Sequence, residues 1–91
     1  MQLTLADIHF DHLIKTKEDA LTHIVGILTD AGHTQPAYLQ GMRDREEQIS
    51  TYLGNGIAIP HGTPQSRDAV LKTGVKVLAC PQGVDWGEAQ T

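Results

Sequence analysis

Between Thr16 and Ala31 apolar residues return at helical spacing: Ala20, Leu21, Ile24, Val25, Leu28 and Ala31 share one face, and Lys17, Glu18, Thr22 and Thr29 fall elsewhere. This spacing predicts an amphipathic helix over 17–31. Both ends carry boundary chemistry, with Thr16 as a cap, Glu18 and Asp19 well placed against the helix dipole, and Gly32 as the left-handed residue after the last turn. A second helix is expected from Pro36, whose fixed φ suits a first helical position, through Tyr38, Leu39 and Met42 to about Glu47, with Gly41 as a weak point in its interior. The period then changes to two. Ile49, Thr51 and Leu53 alternate, Gly54-Asn55-Gly56 supplies turn chemistry, and Ile57-Ala58-Ile59 is a short apolar run, which together read as strand, turn, strand. A further β segment is expected at 75–79, followed by a turn at Pro81-Gln82-Gly83 and the start of another strand at Val84 and Trp86.

Helices first and short strands afterwards predict an α/β, α+β layered domain, with the two helices packed on one face of a small mixed sheet. At 91 residues the chain is expected to be one domain, 1–91, of marginal stability. Its hydrophobic share of 40% and charged share of 20% argue against a disordered tail and a membrane protein. Seven basic residues against eleven acidic ones are scattered instead of forming a stripe, which argues against nucleic acid as a partner. The opening Met1–Asp7 has no basic segment leading into an apolar one, and eighteen apolar residues never run together, so no leader and no membrane insertion are expected and the cytoplasm is the expected compartment. A lone Cys80, unable to form an internal disulfide, agrees with a reducing compartment. The strand expected at Val84 and Trp86 finds neither neighbours nor a covering helix before Thr91. That predicts a domain truncated at its carboxyl end, whose open sheet seeks strands from another copy by self-association.

Candidate chemistry concentrates in Thr51-Tyr52-Leu53-Gly54-Asn55-Gly56-Ile57-Ala58-Ile59-Pro60-His61-Gly62-Thr63, where an apolar strand stops at a proline and delivers a histidine. Pro60 restricts Ile59 to extended geometry and fixes its own φ, and Gly62 removes bulk where an anion or another macromolecule approaches. The His61 imidazole is therefore expected to be exposed and pre-oriented. A neutral imidazole can attack phosphorus through one ring nitrogen while the other donates to a carbonyl or carboxylate that fixes the tautomer. A transferring phosphoryl group spreads charge over its equatorial oxygens and asks the protein chiefly for donors. The backbone N–H groups of Gly62 and Thr63 are candidates. A guanidinium offers two parallel donors, and either Arg45, at the end of the second predicted helix, or Arg67, after the His-Gly-Thr turn, can supply one; chemistry alone leaves the two open.

The remaining reactive residues have plainer readings. His9 and His12 have H-x-x-H spacing, but no cysteine or second pair completes a tetrahedral set, so both are expected at the surface without a metal. His23, off the apolar face, and His33, after the helix stop, are expected to be solvated. Gly54-x-Gly56 lacks the third glycine, the Lys-Ser/Thr pair and the following helix of a nucleotide loop, and reads as a tight turn. Cys80 has no charged neighbour that would lower its pKa and reads as a buried or half-buried thiol. Arg45 on its own would read as half of a surface ion pair along its helix, and Trp86 as packing.

Tyr52-Leu53-Gly54-Asn55-Gly56-Ile57-Ala58-Ile59-Pro60-His61-Gly62 closely resembles the phosphorylation signature of fructose/mannitol-type enzyme IIA domains of the phosphoenolpyruvate-dependent sugar phosphotransferase system. The resemblance extends to Met42-Arg43-Asp44-Arg45-Glu46, Val70-Leu71-Lys72-Thr73-Gly74-Val75, Pro81-Gln82-Gly83-Val84 and Trp86-Gly87. It implies that His61 accepts a phosphoryl group from HPr or an HPr-like domain and passes it to a cysteine of an enzyme IIB domain, with no metal or organic cofactor. In the family's pattern the arginine of the Asp-Arg-Glu segment lies beside the active histidine, which favours Arg45 over Arg67. Asn55-Gly56 and Val84-Asp85-Trp86-Gly87 look more like the fructose branch, including forms fused to an HPr-like domain. Family domains are longer than this chain and carry a second active-site histidine with no counterpart here, so the resemblance implies the amino-terminal part of such a domain. Two other readings are a regulatory binding module switched by phosphorylation and a catalytically inactive fragment.

Overall fold

The computed structural model describes residues 4–87; Met1–Leu3, where the opening was read for a leader, and 88–91 lie outside them. A short 3₁₀ turn, Leu5–Asp7, leads into strand β1, Ile8–Phe10. Helix α1 is Lys17–Asp30, close to its predicted span, and its ends are closed by the expected chemistry. The Thr16 Oγ1 accepts the Asp19 N–H at 3.2 Å. At the other end Gly32 takes φ 81°, its N–H reaches the Thr29 carbonyl at 3.0 Å, and the His33 N–H reaches the Leu28 carbonyl at 2.9 Å, a paired lock that satisfies the last carbonyls.

Helix α2 is Tyr38–Gln48 and starts later than expected. Pro36 sits in the preceding turn, where the Tyr38 N–H bonds to the Gln35 carbonyl and the Leu39 N–H to the Pro36 carbonyl, so it lies ahead of the helix instead of opening it. Strands β2, Tyr52–Gly54, and β3, Ile57–Ala58, form an antiparallel hairpin. Asn55 at φ 56° and Gly56 at φ 77° form its two-residue loop, the left-handed pair that matches strand twist. The strand expected from Ile49 begins only at Tyr52, because Ile49 has left α2 with its side chain exposed. A second 3₁₀ turn, Pro64–Ala69, follows, and β4 is Val77–Ala79.

Strand β4 pairs in parallel with β1, in the register Ile8 to Val77 and Phe10 to Ala79. Parallel and antiparallel pairings are thus both present, on two separate two-stranded sheets. Trp86 does not begin a strand. Asp85 makes one isolated parallel bridge to Thr16, and the Trp86 side chain turns into the core. That core joins Ile14, Ala20, Leu21, Val25, Met42 and Trp86, flanked by Leu28, Tyr52, Leu78 and Cys80. Two histidines depart from expectation. His9 is half-buried in β1 with a buried Nε2 that finds no partner among the described residues. His33 is half-buried against Gly74, where a Cβ would press into its ring. No helix among the described residues is long and apolar enough to cross a membrane.

The amino-terminal segment is tied down by an ion pair between Asp7 and Lys76 at 2.7 Å, 69 residues apart in sequence. The Lys76 ammonium and the Thr4 N–H hold the Asp7 carboxyl down at about 2, from an ordinary 3.8. A depressed carboxyl contributes stability that is present above its unfolded value and lost as pH falls through its folded one. The melting temperature of the wild type is therefore expected to fall between about pH 4 and pH 2 relative to Asp7→Asn, which should melt lower at neutral pH. Parallel pH dependences of the two proteins by circular dichroism would remove the ion pair from the account of stability.

Candidate active site around His61

The hairpin delivers His61 as its sequence implies, exposed at the end of β3 beyond Pro60. The ring nitrogen Nδ1 lies 2.8 Å from the Ile59 carbonyl. A carbonyl has no proton to give, so Nδ1 carries a hydrogen, and the neutral form of a ring so bonded has its lone pair on Nε2. The next residue is held as firmly: the Gly62 N–H donates to the Tyr38 hydroxyl on α2 at 2.8 Å.

Two glycines make this close approach possible. A Cβ at Gly62 would run into both the Tyr38 ring and the Ser66 hydroxyl, and a Cβ at Gly41 would run into the Ser66 side chain. Ser66 is itself fixed, donating to the Thr63 carbonyl at 2.7 Å. The interior glycine that weakens α2 as a helix is therefore the point at which the 3₁₀ turn beds against it and brings Arg67 toward the histidine.

The result is a cleft of about 430 Å³ lined by Tyr38, Arg45, Gln48, His61, Arg67 and Val70, with the loop 62–64 as its rim. Both candidate arginines border it, and among the described residues no carboxylate does. Arg45 donates to the Ile49 carbonyl at 2.6 Å, past the end of its helix, instead of pairing with a glutamate on α2. A larger open depression of about 800 Å³, between His12 and Lys15 on one side and Gln82–Asp85 on the other, contains none of the predicted site residues. Cys80 is half-buried, and burial together with the Asp11 carboxylate pushes its thiol up, away from reactivity.

Sequence reasoning missed Tyr38 and Ser66. Tyr38 lies seven residues before Arg45, two helical turns, which puts both on one face; that spacing was the available signal. The expected phosphate donors divide. Thr63 is at the rim, while the Gly62 N–H is already engaged by Tyr38.

An imidazole that shares a cleft with two guanidinium groups and, among the described residues, with no carboxylate is an arrangement suited to phosphoryl chemistry. The family described as "Phosphoenolpyruvate-dependent sugar phosphotransferase system, EIIA 2" matches residues 1–91. The chain belongs to this family. The multiphosphoryl transfer protein of Salmonella typhi is 54% identical to this EIIA chain over 89 residues, which make up 98% of the chain and 24% of that protein. The mannitol-specific EIICBA component of Vibrio cholerae is 41% identical over 87 residues, 96% of the chain and 13% of that protein. The crystal structure of IIA mannitol from Escherichia coli superposes with a TM-score of 0.90 at 41% identity, over 99% of the EIIA chain and 64% of the solved one. A complex of enzyme IIA mannitol with phosphorylated enzyme IIB from Escherichia coli contains the same fold at a TM-score of 0.89. The EIIA chain thus spans about a quarter of that multiphosphoryl relative and just under two thirds of the solved domain. The α/β class expected from the order of its elements is the class of this fold.

Proposed function

We propose that this EIIA chain carries a phosphoryl group on Nε2 of His61, taken from HPr or an HPr-like domain and handed to a cysteine of an enzyme IIB domain during fructose uptake. The Nε2 lone pair forms the bond to phosphorus as the donor's bond to it breaks, and the enzyme IIB thiolate later takes the group and returns a neutral ring. Arg45 screens the transferring oxygens, with Thr63 at the rim and Arg67 within the same cleft. Gly62 contributes chiefly by permitting close approach. No metal or organic cofactor enters these steps.

The observation that carries this reading is the Nδ1 contact with the Ile59 carbonyl, which leaves Nε2 as the free nucleophile. Support for enzyme IIB as acceptor comes from the solved complex of a 40% identical enzyme IIA. Support for fructose over mannitol comes from Asn55-Gly56 and Val84-Asp85-Trp86-Gly87. The cytoplasm is the compartment this chemistry implies, where a single half-buried thiol stays reduced.

The test is transfer of labelled phosphate from phosphoenolpyruvate through enzyme I and HPr. Acid-labile label on the chain, chased off by added enzyme IIB, is the expected result. Failure to label both this chain and one extended to the length of the solved IIA mannitol domain would overturn the reading.

A further inference from the structure

The carbonyl that fixes the His61 tautomer is itself held in place, and the holding contacts lead back to a buried carboxylate on α2. Ile59 donates its N–H to the Thr51 carbonyl at 3.1 Å while its own carbonyl receives the His61 Nδ1–H. Thr51 is buried, and both its N–H, at 3.2 Å, and its hydroxyl donate to the Glu46 carboxylate. That carboxylate is only 4% exposed and is paired with Lys17 of α1 at 3.1 Å. The Lys17 ammonium also lies 5.4 Å from the centre of the Trp86 ring. Burial pushes the Glu46 carboxyl up, but the hydrogen bonds from Thr51 and Lys17 outweigh it and hold the group below its ordinary value. It is therefore a fixed charge at neutral pH, one residue along from Arg45, and its side chain is turned to the scaffold and not to the cleft.

We propose that Glu46 is a positioning residue for His61, acting through Thr51 and Ile59 to hold the imidazole in the Nδ1–H tautomer that frees Nε2 for phosphorus. The proposal rests on His61 being the nucleophile, but its effect on the ring is readable without transfer. A carboxylate accepts from both donors of Thr51 and pairs with Lys17 at once; a glutamine of the same size has only one accepting oxygen and sets an amide donor against these groups. Once β2 is released at Thr51, the Ile59 carbonyl no longer has a fixed place, and the ring drifts toward the Nε2–H form favoured by free histidine.

The experiment is ¹⁵N NMR of the His61 ring in the wild type and in Glu46→Gln, together with the rate of label transfer from phosphorylated HPr. The expected result is a fall in the Nδ1–H population and a transfer rate lower by on the order of tenfold, the lower end of what the outer partners of metal-ligating histidines contribute. If Glu46→Gln proves unfolded, Thr51→Val, which keeps the buried carboxylate and its Lys17 partner, takes its place with the same expected direction. An unchanged tautomer population in the folded variant would overturn the proposal. A wild-type chain that holds the Nδ1–H tautomer but takes no label defeats the phosphoryl reading instead, and the ring shifts still decide the role of Glu46.

Discussion

His61→Ala is expected to abolish phosphorylation of the chain altogether, with no label above background where the wild type is labelled to near one group per molecule. The cleft contains one imidazole. His9 is half-buried in β1, His33 is packed against Gly74, and His12 and His23 are exposed but do not border the cleft. His23 is in any case occupied, with Nδ1 at 3.1 Å from the Asp19 carbonyl and Nε2 at 3.6 Å from the Asp11 carboxylate. Because the His61 side chain is exposed, its removal should change stability by no more than about 0.5 kcal/mol, so a lost label will not reflect lost folding. Unchanged thermal melting with complete loss of acid-labile phosphate is the combined signature. Label persisting on His61→Ala would move the phosphoryl group to another residue and leave the cleft without its function.

Leu21→Ala is expected to lower the unfolding free energy by about 2–5 kcal/mol. Leu21 is 2% exposed and sits in the core cluster with Ile14, Val25, Met42 and Trp86. The loss is large against a total of roughly 5–14 kcal/mol for a chain of this length. Urea titration should show a lower midpoint with little change in slope. A loss below about 1 kcal/mol would mean that the helix face refills the space, and that α1 is not the anchor of the core. The variant also separates fold from site. No residue of α1 borders the cleft, so below the unfolding midpoint Leu21→Ala should be labelled like the wild type.

What the sequence made legible depended on distance along the chain. Helix α1 could be read because its cap, its apolar face and Gly32 lie within seventeen consecutive residues. The His61 presentation could be read because Pro60 and Gly62 act on their immediate neighbour. The sites of failure are long-range. Ile8-His9-Phe10 is too short to show a period, and only its pairing with Val77–Ala79 makes it a strand. His33 looked solvated because nothing near it in sequence reveals that Gly74 packs against its ring. The alternation of Val84 and Trp86 was real but was satisfied by a single bridge at Asp85 and a core side chain.

The site divides in the same way. His61 carries a local signal, while Glu46 reads on the sequence as one more surface acid among the charges of α2. Its burial is created by Thr51, five residues on, and by Lys17 on the other helix. Chemistry alone left Arg45 and Arg67 equivalent, and both do border the cleft. Family resemblance ranked them where physical reasoning from residue types had no means to do so.

The parallel pairing of β1 with β4 has a kinetic consequence. Closing the Asn55-Gly56 hairpin brings together residues three positions apart, at an entropic cost of about 1 kcal/mol. Joining Ile8 to Val77 closes a loop of the same 69 residues that separate Asp7 from Lys76, at about 4 kcal/mol before any constant is added. Every described residue that borders the cleft lies between Tyr38 and Val70, inside that loop. The meeting of these two strands is therefore the costlier closure, while the cleft around His61 is joined across a shorter one, the 24 residues between Tyr38 and Gly62.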